Sequence, residues 1–122
     1  MTKYDQEVRE RFGDTAAYRE YEQKTARYTK SQWQNATDGL NAVFAKFAAC
    51  KKDGHTADSA AAQALVKELQ TYITEHYYTC TNEILAGLGQ MYSADERFKT
   101  NLDAHAPDTA NYVSSAIKAY CP

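Results

Sequence analysis

Residues 29–52 read TKSQWQNATDGLNAVFAKFAACKK, and this stretch decides the fold class. Thr29 and Gln32 stand in the pattern of a capping box, in which two side chains satisfy backbone N–H groups that a helix leaves bare at its start. Behind them Trp33, Leu40, Val43, Phe44 and Phe47 recur at helical spacing. Gly54 supplies the stop, because glycine adopts left-handed backbone without a Cβ penalty. The spacing predicts one long helix with an apolar face to bury.

The same pattern continues toward the C-terminus. His55–Asp58 is a short connection, and Asp58 or Ser59 can cap the next helix, whose stripe is Ala61, Leu65, Leu69, Tyr72, Ile73 and His76. Tyr77, Tyr78, Thr79 and Cys80 read as a break before Ile84, Leu85, Leu88, Met91 and Tyr92. Ser93 and Glu96 form a second capping-box pattern, opening a helix with Phe98 and Leu102. Pro107 suits the first position of a last helix carrying Ala110, Val113, Ile117 and Tyr120. No window alternates apolar and polar residues long enough for a strand, and the chain has only five Gly and two Pro. The expected fold is all-α, with about five main helices in a helical core over residues 31–122.

Residues 1–30 differ. Thirteen of them are charged, their only aliphatic positions are Met1 and Val8, and the remaining apolar weight is Phe12 with Tyr4, Tyr18, Tyr21 and Tyr28. Glu7–Arg11 and Glu20–Lys24 are i,i+4 pairs in the favourable order, contributing a few tenths of a kcal/mol each. That does not hold short helices in water. Helices near 4–12 and 15–27, separated by Gly13 and Asp14, therefore need a surface to dock on.

Composition sets the remaining bounds. A chain of 122 residues forms a single domain and buries a core without help from disulfides or metals. The net charge of −2 argues against a nucleic-acid-binding surface. No apolar run reaches membrane-span length and residues 1–30 lack a secretory signal's apolar block, so a cytoplasmic protein is expected. Three cysteines, Cys50, Cys80 and Cys121, without a C-x-x-C, fit reduced thiols. Leu, Ile, Val and Phe total only 17 residues, while ten tyrosines supply aromatic mass with polar ends. The reading is a closely packed helical domain with aromatic walls.

Few residues advertise chemistry. There is no Gly-rich phosphate loop, no G-x-S-x-G, and no zinc pattern among His55, His76 and His105. His76 and Cys80 would share a face of a continuous helix, as a Cys–His nucleophile or half of a metal site, or as a half-buried histidine and an inert buried thiol. Trp33, Phe44, Phe47, Tyr72, His76, Tyr77 and Tyr92 read either as core or as the lining of an apolar cleft with polar tips. Composition does not choose between these readings.

A resemblance does. The run Glu7-Val8-Arg9-Glu10-Arg11-Phe12-Gly13, then Thr15-Ala16-Ala17-Tyr18-Arg19, Lys24-Thr25, Tyr28-Thr29-Lys30 and Trp33 is followed by Tyr78, Cys80, Glu83, Leu88-Gly89 and Met91-Tyr92. Asp95-Glu96-Arg97-Phe98, Asn101, Asp103 and Ala116-Ile117 complete the set. Together these resemble, over essentially the whole chain, the TipA-type antibiotic-recognition domain, the C-terminal effector domain of MerR-like transcription activators. The resemblance implies a globin-like helical fold without haem or other cofactor or metal, and a deep cleft for bulky peptide-like antibiotics of thiopeptide or albicidin type. It also implies that the N-terminal part, residues 1–30 here, is a mobile two-helix lid that orders over the bound drug, in agreement with its thin apolar content.

Pattern and resemblance together nominate Phe12, Tyr21, Tyr28, Trp33, Phe47, His76, Tyr77, Cys80, Gly87, Met91 and Tyr112 as the lining. The family prototype carries a second cysteine, seven residues after the one matching Cys80, that captures a dehydroalanine of the drug. Here that position is Gly87, so reversible binding in a roomier pocket is expected. DNA would be contacted only through an attached MerR-type domain that this sequence does not contain. The expected role is that of a drug sensor, as a piece of a longer regulator. The alternatives are a stand-alone drug-sequestering protein and, remotely, a small enzyme using Cys80 and His76.

Overall fold

The computed structural model describes residues 15–121. The predicted helix over 4–12 and the candidate Phe12 lie outside the described residues. Among the described residues there are six helices and no strand: α1 (Ala16–Thr25), α2 (Lys30–Lys52), α3 (Ala60–His76), α4 (Asn82–Ala94), α5 (Glu96–Asp103) and α6 (Thr109–Tyr120). None is long and apolar enough to cross a membrane.

The helix ends follow local chemistry. At the start of α2 the Gln32 N–H donates to Thr29 Oγ1 at 3.1 Å, and the Thr29 N–H donates to Gln32 Oε1 at 2.8 Å, the reciprocal pair read from the sequence. At its other end Gly54 takes φ 89°, the Gly54 N–H donates to Lys51 O and the His55 N–H to Cys50 O, which is a Schellman closure. Ser59 caps α3, receiving the Ala62 N–H.

Two predicted starts need correction. Ser93 does not open α5: it lies in the last turn of α4 with its hydroxyl 3.2 Å from Ser114 Oγ, and Asp95 is the cap, receiving the Arg97 N–H at 2.9 Å. The side chain of Arg97 folds back onto the same carboxylate at 2.7 Å. That contact, followed by the Arg97 N–H, holds Asp95 down near a pKa of 2. Pro107 is not the first residue of α6 either. The helix starts at Thr109 after Asp108, which adopts the left-handed region at φ 63°, a conformation aspartate tolerates better than most residues. The Asp103 carboxylate receives the Ala110 N–H at 2.9 Å and places negative charge at the positive end of α6.

Helix α6 is the centre of the packing: α2, α3, α4 and α5 all lie against it, and α2 also packs on α3, and α4 on α5. Its buried face of Thr109, Ala110, Tyr112, Val113, Ala116 and Ile117 meets Phe47, Leu69, Val66 and Leu85 in one core. Small residues set the helix spacing. A Cβ at Gly89 of α4 would lie 2.9 Å from Ile117 Cγ2. One at Gly39 of α2 would overlap the hydroxyl of Tyr72 on α3, which donates to the Ala36 carbonyl at 2.6 Å. The buried face of α3 is Ala62, Val66, Leu69 and Ile73; Ala61 is exposed, one residue off the predicted stripe. Helix α1 stands outside this close helix packing and is attached through side chains.

Candidate functional site

The site is organised by the break between α3 and α4. Helix α3 ends at His76 because Tyr77 leaves the helical region, and both the Tyr77 and the Tyr78 N–H turn back onto Ile73 O at 2.9 and 3.1 Å. Thr79 and Thr81 favour extended backbone, and Thr81 caps α4 by receiving the Ile84 N–H. The Cys80 N–H donates to Thr74 Oγ1, folding the loop under itself. The break presents two tyrosines side by side at one end of the bundle.

Onto them packs α1. The Tyr21 ring is the hub, 6.2 Å from Trp33, 6.3 Å from Tyr77, 6.4 Å from Tyr78 and 5.9 Å from Tyr18. Tyr28 meets Trp33 edge-on at 5.3 Å, and Trp33 lies 6.4 Å from Tyr77. All these separations fall in the attractive range for aromatic pairs. Tyr72 and His76 lie beside one another at 4.1 Å on α3. Burial pushes the Tyr77 phenol up to about 12, and raises that of Tyr72 in the same direction, so both hydroxyls stay protonated donors at neutral pH.

Polar tethers frame the cluster. Lys24 Nζ donates to the Thr74 carbonyl at 2.6 Å and the Tyr28 hydroxyl to the His76 carbonyl at 2.5 Å. The Glu20 carboxylate receives the Thr79 N–H at 2.6 Å and the Thr79 hydroxyl at 2.9 Å. These bonds, the backbone one first, lower the pKa of Glu20.

A second surface begins just past the loop. On α4, Ile84, Leu88 and Met91 are half-buried at helical spacing, and Gly87 between them is exposed, with open space where a Cβ would point. This is an apolar stripe with a gap in it.

The nominated residues thus fall into three groups. Tyr21, Tyr28, Trp33, His76 and Tyr77 come together around the end of α3, and Gly87 and Met91 lie on the α4 stripe. Phe47 is 0% exposed and Tyr112 9%, both in the main core. The Tyr112 hydroxyl donates to His55 O at 2.9 Å, 3.3 Å from Cys50 Sγ. Cys80 is 4% exposed, and burial first, then the neighbouring Cys121, pushes its thiol up to about 11. It is not on a continuous helix with His76, because α3 ends between them, so the pair has neither the shared helical face nor the thiolate a nucleophile needs. Among the described residues no group of His, Cys, Asp or Glu is placed to hold a metal.

Sequence reasoning missed Tyr18, Tyr78, Glu20, Lys24 and Thr79 as parts of this arrangement. Tyr18 and Tyr21, one turn apart, and the adjacent Tyr77 and Tyr78 were the available signal. The tethers span more than 45 residues of chain and left none. A separate groove lies elsewhere. About 510 Å³ in volume, it runs between α2 and α3, is bridged by the Lys46–Glu68 ion pair at 2.9 Å, and shares only Tyr72 with the aromatic region. It is open and mixed in charge, unlike the apolar, convergent lining of a drug site.

The described residues thus form an all-helical domain with an aromatic cluster at one end and an apolar helix face beside it. The chain is a member of the TipAS antibiotic-recognition domain family, whose model matches residues 4–120. It is 41% identical over 117 residues, 96% of its length, to the HTH-type transcriptional activator TipA of Streptomyces coelicolor. It is 32% identical over 118 residues, 97% of its length, to the HTH-type transcriptional activator mta of Bacillus subtilis. It spans about half the length of these relatives, 46% and 45% respectively. Among solved structures it resembles the Streptomyces lividans TipAS–nosiheptide complex with TM-score 0.87 and 40% identity, over 98% of this chain and 83% of that one. The antibiotic binding domain of a TipA-class multidrug resistance transcriptional regulator matches with TM-score 0.66 and 35% identity, over 73% of this chain and 95% of that one. The fold is therefore the globin-like one of TipAS, and these curated relatives are transcriptional activators.

Proposed function

We propose that this chain is a drug-sensing effector domain that binds bulky thiopeptide-like antibiotics and passes the binding event to an attached DNA-binding domain of a cytoplasmic transcription activator. The observation that carries the reading is the likeness, along nearly the whole chain, to a TipAS domain solved with nosiheptide. In this reading the drug lies between the aromatic cluster of Tyr21, Tyr28, Trp33, His76 and Tyr77 and the α4 stripe with Gly87 and Met91. Segment 15–28 closes over it as the described part of the lid, and Phe12 lies outside the described residues. Phe47 and Tyr112 belong to the main core rather than to this lining, and Cys80 lies buried under the 77–81 loop. Aromatic stacking and apolar burial supply most of the affinity, and tyrosine hydroxyls give orientation.

Binding is reversible, because position 87 has no thiol and the Cys80 thiol is buried and protonated. No step of catalysis is assigned to the chain. The test is a calorimetric titration with nosiheptide. Saturable binding with a negative heat-capacity change, the signature of apolar burial, supports the reading; no heat and no fluorescence change at the solubility limit of the drug refutes it.

A further inference from the structure

The tethers from α1 share one target. A helix leaves its last carbonyls without intrahelical donors, and something must satisfy them. At the end of α3 the Ile73 carbonyl takes both the Tyr77 and the Tyr78 N–H, so the Thr74 carbonyl receives no donation from Tyr78. Lys24 supplies it, and Tyr28 supplies the His76 carbonyl. Lys24 is also a cation at the negative end of a helix dipole, where a positive charge is favoured. Glu20 adds the third anchor by receiving both the Thr79 N–H and the Thr79 hydroxyl. Every one of these donors and acceptors on α1 and its following turn falls on residues 74–79.

We propose that segment 15–28 is the C-terminal cap of α3, so that closure of this segment and completion of the α3 end with its 77–81 loop are one event, joined by Glu20, Lys24 and Tyr28. The consequence reaches the site. The loop carries Tyr77 and Tyr78, folds over Cys80 through the Thr74 hydroxyl, and leads directly into α4. A ligand that draws α1 closed also fixes the entry of α4, and a loosened α1 frees the aromatic pair. This inference rests on the antibiotic-sensing reading for its use, but not for its existence.

The experiment is hydrogen–deuterium exchange on the chain without added ligand, comparing the wild type with E20Q, K24M, K24R and Y28F. E20Q and K24M are expected to speed exchange at the α1 amides by roughly threefold, the scale of an exposed charged contact. The Tyr77, Tyr78 and Cys80 amides should speed up in step, with K24R restoring the wild-type pattern. Faster exchange in α1 with unchanged amides at 77, 78 and 80 overturns the proposal, as does no change in either. A nosiheptide titration of the same proteins separates the two claims. Coupled exchange without nosiheptide binding would sink the sensing reading alone, and binding with uncoupled exchange would sink the capping proposal alone.

Discussion

The Tyr21 ring lies 6.3 Å from the Tyr77 ring at an interplanar angle of 27°, so a side chain of α1 stacks on the first residue beyond α3. Trp33, the only tryptophan in the chain, touches both of these rings and that of Tyr28. Its fluorescence therefore reports on the cluster directly.

Tyr21→Ala removes the hub. Aromatic pairs contribute about 0.5–1.5 kcal/mol each beyond area burial, comparable with the whole attachment of a short helix. Trp33 emission is expected to move to the red as water reaches the ring, while α2 to α6 keep their far-UV dichroism. An unshifted emission maximum would mean that α1 does not shield Trp33.

Two glycines make opposite predictions. Gly39→Ala drives a methyl into Tyr72, whose ring carbon Cζ lies 2.8 Å from the new Cβ and whose hydroxyl is bound to Ala36 O. The overpacking cost of about 1–3 kcal/mol exceeds the gain in helix propensity of about 1 kcal/mol, so urea unfolding should show a net loss. Gly87→Ala meets nothing and should stabilise by up to about 1 kcal/mol.

Tyr112→Phe leaves the His55 carbonyl without its donor at the turn between α2 and α3. A loss of about 1 kcal/mol in urea unfolding is expected.

The Glu20 anchor is acid-sensitive. Its carboxyl is held below the ordinary value of 4.5, first by the Thr79 N–H, so the folded state prefers the ionised form. Its contribution is complete above 4.5 and is lost as pH falls through the lowered folded value. Exchange at the α1 amides should therefore differ between wild type and E20Q at neutral pH, once corrected for intrinsic rates, and converge in acid. A difference that persists in acid would assign the effect of E20Q to something other than the carboxylate.

Wild-type protein mixed with thiostrepton should show no adduct that survives denaturation in mass spectrometry. The Gly87→Cys variant, with an exposed thiol on the α4 stripe, should capture the dehydroalanine. An adduct on wild-type Cys80 would contradict the buried, protonated thiol derived above.

The legible parts of this fold were local. The Thr29–Gln32 box, the Gly54 stop, the Ser59 cap and the break after His76 each depend on residues within one helical turn, and all occur where the sequence places them. The Ser93–Glu96 pattern failed because Asp95, a stronger acceptor two residues later, competes for the same helix start and carries Arg97 with it. Leu69 and Ile73 of the α3 stripe are buried as read, and only its start is off, at exposed Ala61 instead of buried Ala62, because consecutive alanines at 60–62 give no contrast between faces. Within the candidate site, the tyrosines were visible as a composition anomaly. Their convergence on the end of α3 was not, since pairs such as Glu20 with Thr79 are fixed by tertiary packing and by no periodicity.

The most direct test is the backbone-amide NMR spectrum of the chain titrated with nosiheptide. The account predicts saturable shifts in α1, in the 77–81 loop and along the Ile84–Met91 face of α4, with the groove between α2 and α3 unmoved. An unchanged spectrum, or shifts confined to the groove around Lys46 and Glu68, would contradict it.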